Sequence, residues 1–172
     1  MGNVAVRLAR WRVPLGFIAA IAALILARPT WESWRVGMLV AAAGEAVRVW
    51  AAGHLEKGRE VTQSGPYRWI GHPLYVGSAI VALGVIVASR SAIVAALAVA
   101  YVGVTFSAAI RTEEAFLRRA FGDAYDRYRQ SRGERIQREF SLERAMRNRE
   151  QRAIAGLAGG FALLALKILA PL

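Results

Sequence analysis

Four stretches of the chain, 13–27, 74–89, 91–110 and 153–170, are almost free of charge and carry no amphipathic stripe, and a fifth, 36–52, is apolar except for Glu45 and Arg48. An apolar run without periodicity is what a lipid-facing helix needs, because hydrocarbon surrounds it on every side. Backbone amides have no water to bond inside a bilayer, so such runs must be helical. The expected fold class is therefore all-α, an integral membrane bundle of about five transmembrane helices forming one domain over 1–172. Two of the blocks fall short of the ~20 residues that a bilayer core requires, so Trp11, Trp31 and Arg28 are expected to anchor at the interface or snorkel outward. The first block, with arginines before it, has the outline of a signal peptide. No separate soluble portion follows it, and it is expected to remain as a span. A hydrophobic content of 56% lies above the ~45–50% of soluble chains and excludes a disordered one.

The charges set an orientation. The chain carries 23 basic and 12 acidic residues, a formal net charge of +11. An N-terminus on the cytoplasmic side places Arg7, Arg10 and Arg12, then Lys57, Arg59 and Arg68, then twelve arginines between Arg111 and Arg152 inside, leaving Arg28, Arg35 and Arg90 outside. Eighteen against three satisfies the positive-inside rule and predicts an N-in, C-out multi-pass protein. Ala-, Gly- and Arg-rich usage points to a bacterial inner membrane. The long basic segment is interleaved with eight acidic residues, from Glu113 to Glu150. Interleaving of that kind marks a solvated, salt-bridged face or an anionic-lipid contact, and no nucleic-acid partner is expected. With no cysteine and two histidines, no metal site is expected either.

Two stretches on the expected cytoplasmic side stand apart. Residues 53–77, GHLEKGREVTQSGPYRWIGHPLYVG, pack turn formers and aromatics together. Gly65-Pro66 and His72-Pro73 push the residue before each proline out of helix, so this segment is irregular, and irregular backbone offers free amides and carbonyls to a polar ligand. An ordinary re-entry turn with Tyr67, Trp69 and Tyr75 as interfacial aromatics is the alternative. Residues 111–129, RTEEAFLRRAFGDAYDRYR, continue the fourth block. Helical spacing puts Glu113 on one face with Phe116, Leu117 and Phe121, whereas Glu114 points with Arg111 and Arg118. A carboxylate on the apolar face beside a span is costly without a partner and is a functional candidate.

Other ionisable groups have structural readings. Glu45 and Arg48, one turn apart, are expected to form an ion pair facing the bundle interior. Lys167 is expected to snorkel to the outer surface. His54 either caps carbonyls or touches ligand. Gly156 and Gly160 have the small-xxx-small spacing that permits close helix approach, inside a monomer or between two copies.

Taken together, GPYRWIGHPLYVG, a helical hairpin, the double glutamate and FGDAYDRY resemble the core of the isoprenylcysteine carboxyl methyltransferase and phospholipid methyltransferase superfamily. The resemblance covers about 48–128, with 53–128 as a methyltransferase-like core, 130–152 as a charged cytoplasmic segment and 153–170 as an added C-terminal span. It implies a cytoplasmic pocket for S-adenosylmethionine lined by His72, Leu74, Tyr75, Tyr67 and the backbone around Val61 and Thr62. It also implies that Glu113 binds the cofactor amino group and that Arg111 faces the acceptor, with Glu114 beside them in the catalytic set. Two positions depart from the family pattern. Gly71 stands where an arginine often precedes the His-Pro, and Ala109 stands one turn before the cofactor glutamate where the carboxyl methyltransferases carry an arginine.

S-adenosylmethionine presents a sulfonium and an amino acid head, which ask for carboxylate, backbone groups and aromatic faces. Glu113, Tyr67 and Tyr75 are of those types. A carboxylate acceptor needs no general base, whereas an amine acceptor does, and Glu114, Glu45 or His54 then matters. The expected activity is methyl transfer to a lipophilic acceptor from the bilayer, either the carboxylate of an isoprenoid, prenylcysteine-like or other lipid, or the amine of a phospholipid. A non-catalytic membrane adaptor of the same fold is the rival, and monomer and homodimer stay open.

Overall fold

In a computed structural model, residues 3–130 and 137–170 are described, with side chains from residue 14 onward; Trp11 and the arginines at 7, 10, 12, 132 and 135 lie outside the described side chains. The described elements are helical: α1 (Asn3–Leu26), α2 (Trp31–His54), a 3-10 turn (Gly65–Arg68), α3 (Pro73–Ser89), α4 (Ala92–Phe121), α5 (Asp123–Arg129), α6 (Leu142–Arg147) and α7 (Glu150–Leu169). The all-α expectation holds, and α2, α4 and α7 are long and apolar enough to cross a membrane. Residues 14–26 and 73–89 form shorter apolar helices. Each of the five blocks thus lies in a helix, but α2 and α4 extend beyond their apolar runs by one to three turns.

Local chemistry explains the boundaries. Thr30 caps α2 in a reciprocal box in which Ser33 N donates to Thr30 Oγ1 at 3.3 Å and Thr30 N donates to Ser33 Oγ at 3.0 Å. Two orphan amides are satisfied at once. Ser91 and Ser141 cap α4 and α6 by accepting from Val94 N and Arg144 N. Pro73 at the first position of α3 needs no amide partner there. Gly122, at φ 45°, separates α4 from α5.

The two closest neighbours are α2 and α3, an antiparallel pair, while α1 lies along α4 and α7 along α2. At the end opposite the irregular segment, Ala27, Ala41, Ala88, Phe161 and Leu164 form a buried cluster. It is tied by Trp34 Nε1 donating to Phe161 O at 2.8 Å and Ser33 Oγ donating to Ala88 O at 3.1 Å. Lys167, expected to snorkel to the outer surface, donates to Leu24 O and Ile25 O at 2.8 and 2.7 Å, at the end of α1. An ammonium gains more from the last carbonyls of α1, which carry the negative end of its dipole, than from a free end.

Candidate functional site

Between α1, α3 and α4 and the 55–62 loop lies a cavity of about 1090 Å³. That is just above the ~300–1,000 Å³ typical of small-molecule sites. It has two unlike ends. The mouth carries Glu56, Glu60, Val61, Thr62, His72 and Glu113, and the far limb is lined by small and aliphatic residues such as Ala20, Val85 and Val102. Arg48, Ser78 and Glu150 stand on the wall as well.

The mouth is assembled from distant parts of the chain. His72 sits just before α3, its conformation (φ −136°, ψ 62°) fixed by Pro73 behind it. Its Nε2 lies 3.3 Å from Glu114 Oε1, and its Nδ1 lies 3.9 Å from Glu113 Oε2. The imidazole is thereby held between the two neighbouring glutamates of α4. Tyr75, one turn on, meets the His72 ring edge-on at 6.0 Å and the Phe106 ring at 5.2 Å. Tyr67 is buried in the 3-10 turn, and its carbonyl accepts from Tyr128 Oη at 2.8 Å. Burial, then the nearby Glu113 charge, raises the Tyr67 phenol above its ordinary pKa. Burial raises Tyr128 and Tyr125 too. All three phenols remain proton donors at neutral pH.

Val61, Thr62, Tyr67, His72, Leu74, Tyr75 and Glu113, the residues that sequence reasoning assigned to a cofactor, line this one cavity. Glu114 is brought to His72 but is not on the cavity wall. Arg111 is exposed and off the wall. The expected register pair of Arg111 with Glu114 gives way to Arg129, whose Nη1 lies 3.5 Å from Glu114 Oε1. Folding back of α5 brings that guanidinium within reach, and at Gly71 a side chain would meet the same Arg129 Nη1 at 3.9 Å. His54 neither caps carbonyls nor lines the cavity; its Nδ1 is 3.2 Å from Ser64 Oγ.

The Glu45–Arg48 pair forms as expected, with Arg48 Nε 3.2 Å from Glu45 Oε2. Sequence reasoning missed its third member. Glu150, at the start of α7, accepts from Arg48 Nη2 at 2.9 and 3.1 Å, and Arg48 Nη1 donates to Ser78 Oγ. One guanidinium therefore serves two carboxylates, and Glu45 Oε1 is buried without a hydrogen-bond partner among the described residues. Nothing in the sequence marks Glu150, which is 102 residues from Arg48. Among the described residues no group of three or more His, Asp or Glu is placed to hold a metal ion.

The mouth fits the groups of S-adenosylmethionine. Glu113 faces the cavity with its carboxylate held by no guanidinium among the described contacts, Tyr67 and Tyr75 offer ring faces, and the 55–62 backbone is at hand. A carboxylate beside aromatic faces is a setting for a cationic ligand.

Residues 33–124 match the family described as phospholipid methyltransferase. The cobalt-zinc-cadmium resistance protein CzcN of Cupriavidus metallidurans is 34% identical over 125 residues, which cover 67% of this chain and 56% of that protein. The nickel-cobalt-cadmium resistance protein NccN of Alcaligenes xylosoxydans xylosoxydans is 30% identical over 129 residues, covering 70% and 60% respectively. The chain thus spans less than two thirds of the length of either relative. No solved structure matches.

Proposed function

The chain belongs to the phospholipid methyltransferase family, and from that premise we propose that it is a multi-pass membrane methyltransferase transferring a methyl group from S-adenosylmethionine to a lipophilic acceptor. The observation that carries this reading is a single cavity with a polar, carboxylate-bearing mouth and an apolar limb between α1, α3 and α4. In it Glu113 holds the cofactor amino group, Tyr67 and Tyr75 face its cationic part, and the backbone near Val61 and Thr62 borders it. When bound, the cofactor would supply an activated methyl group on sulfonium, with its thioether as the leaving group when the acceptor's lone pair takes the methyl. The protein's share is positioning and exclusion of water. His72, with its two ring nitrogens toward Glu113 and Glu114, would hold Glu113 in place at the mouth. We place the N-terminus and the mouth on the cytoplasmic side of a bacterial inner membrane, from the arginine distribution.

Of the two acceptors that the sequence leaves open, the first reading is a lipid or isoprenoid carboxylate. A second reading, an amine acceptor as on a phospholipid, is favoured by one observation. Arg48 on the cavity wall is committed to Glu45, Glu150 and Ser78, so it offers no free fork to an anion, and Arg111 is off the wall. Methyl-labelled S-adenosylmethionine added to membranes containing the protein tests the proposal. Label in extracted lipid, absent with Glu113→Gln, is expected; base-labile label identifies an ester and base-stable label an N-methyl group. Equal labelling with and without the protein contradicts the reading.

A further inference from the structure

A helix leaves its last carbonyls without intrahelical partners. At the end of α2 those carbonyls are taken by a segment 84 to 96 residues later in the chain. Asn148 Nδ2 donates to Ala52 O and Leu55 O, both at 2.9 Å. Arg144 Nη1 donates to Gly53 O at 2.5 Å, as does Ser141 N at 3.2 Å, and Arg138 Nη1 donates to His54 O at 3.4 Å. Four successive carbonyls, 52 to 55, are covered from one remote stretch. The Phe140 ring packs against Gly53, where any Cβ would collide with it.

The same arginines then grip the loop that follows. Arg138 donates through both Nη atoms to Glu60 at 2.6 and 2.9 Å, a bidentate pair. Arg144 Nε donates to Glu56 Oε1 at 2.8 Å, and Arg147 Nη2 adds a contact at 3.3 Å. Exposed ion pairs count for little, but bidentate, half-buried ones within a network fix geometry. Arg144 is the main cause that holds the Glu56 carboxyl below its ordinary pKa. Glu56, Glu60, Val61 and Thr62, with Asn148 itself, line the cavity mouth.

We propose that residues 137–150 form a strap that shapes the mouth, with Arg138, Arg144 and Asn148 as positioning residues acting through Glu56, Glu60 and the last carbonyls of α2. The strap lies beyond the matched residues 33–124, so the cofactor wall is completed by sequence outside the family's common part. This rests on the reading of the mouth as the S-adenosylmethionine site. It also assigns a role to the charged stretch between α5 and α7.

The test uses the full chain in detergent, with two readouts: amide hydrogen exchange over 55–62, and calorimetric titration of S-adenosylhomocysteine. Arg138→Glu and, separately, Asn148→Ala are expected to speed exchange in 55–62 while leaving α3 and α4 protected. Both are expected to weaken S-adenosylhomocysteine by on the order of ten-fold, the equivalent of about one hydrogen bond. Glu60→Arg added to Arg138→Glu restores both quantities, which a general loss of stability would not allow. Unchanged exchange over 55–62 overturns the proposal, and so does faster exchange with undiminished affinity. A wild-type protein that does not bind S-adenosylhomocysteine removes the cofactor reading. The exchange arm alone then decides whether the strap holds the loop, faster exchange supporting it and unchanged exchange overturning it.

Discussion

Glycine does opposite work in α2–α3 and in α7. Along the first pair, a Cβ at Gly44 would lie 2.7 Å from Gly77 O and Val81 N, and one at Gly84 would lie 2.6 Å from Ala41 N and Gly37 O. The two backbones touch there. At Gly156, Gly159 and Gly160 of α7 nothing stands within 4 Å of such an atom. Both helices show small residues at helical spacing, so the spacing alone does not distinguish a seam from an open face. What distinguishes them is a matching partner: Gly37 and Gly44 on α2 meet Gly84 and Gly77 on α3, seven residues apart on each strand of the hairpin. That close approach sets Arg48 against Ser78 and fixes α3, the helix that His72 immediately precedes. The α2–α3 pair is the platform of the site, and α7 contributes to it through its first residue, Glu150.

The largest effect should come from breaking the platform. Gly44→Leu places a side chain where α3 backbone already stands, and overpacking costs about 1–3 kcal/mol, or more when the backbone itself must move. A steep fall in melting temperature and loss of the monodisperse peak in size-exclusion chromatography are expected; a wild-type-like melt would show the seam to be looser than described. Next comes the chemistry mounted on that platform. His72→Ala should weaken cofactor binding by about ten- to a hundred-fold, the range for removing hydrogen bonds to charged groups, while Arg111→Ala, off the cavity wall, leaves it unchanged. Titration of the two purified variants checks the contrast, and equal loss in both would move the site toward Arg111.

The pH dependence is smaller and local. The Glu56 carboxyl titrates below its ordinary value, chiefly because Arg144 bonds it. A depressed carboxylate contributes stability that is present above its unfolded pKa and disappears as pH falls through the folded one. Protection of 55–62, corrected for intrinsic exchange, should therefore hold at neutral pH and decline below the carboxylate range. Glu56→Gln should flatten that decline, and a decline of the same size in the variant would assign it to another group. The smallest effect belongs to α7. Gly160→Leu, in open space, should shift stability by no more than about 0.5 kcal/mol, and a melt that falls as far as for Gly44→Leu would mean that a second surface covers this face.

Much of the fold was legible because it follows from composition along the chain. Charge-free apolar runs marked five helical segments, whereas the caps at Thr30 and Ser91 show only in the structure. The candidate mouth was legible for another reason, the family resemblance carried by the His72-Pro73 stretch and the double glutamate, whose implied residues Tyr67, His72 and Glu113 all line one cavity. Residues whose role depends on a remote partner were not readable. Glu150 and Asn148 are ordinary polar residues until α7 is placed beside α2. Arg111 and Glu114 share a helix face, yet the turn at Gly122 folds α5 back and gives Glu114 to Arg129. Lys167 was placed toward the outer surface, but its partners, the last carbonyls of α1, show only once α7 is set beside α1.

The central claim is that the polar mouth around Glu113 binds S-adenosylmethionine. Calorimetric titration of S-adenosylmethionine into the detergent-purified protein and into Glu113→Gln tests it most directly. The account predicts saturable binding by the wild type that is lost or weakened by ten-fold or more in the variant, a charge-assisted contact being worth about 1.5–3 kcal/mol. Absence of binding by a folded wild-type protein, or equal affinity in the two, would contradict it.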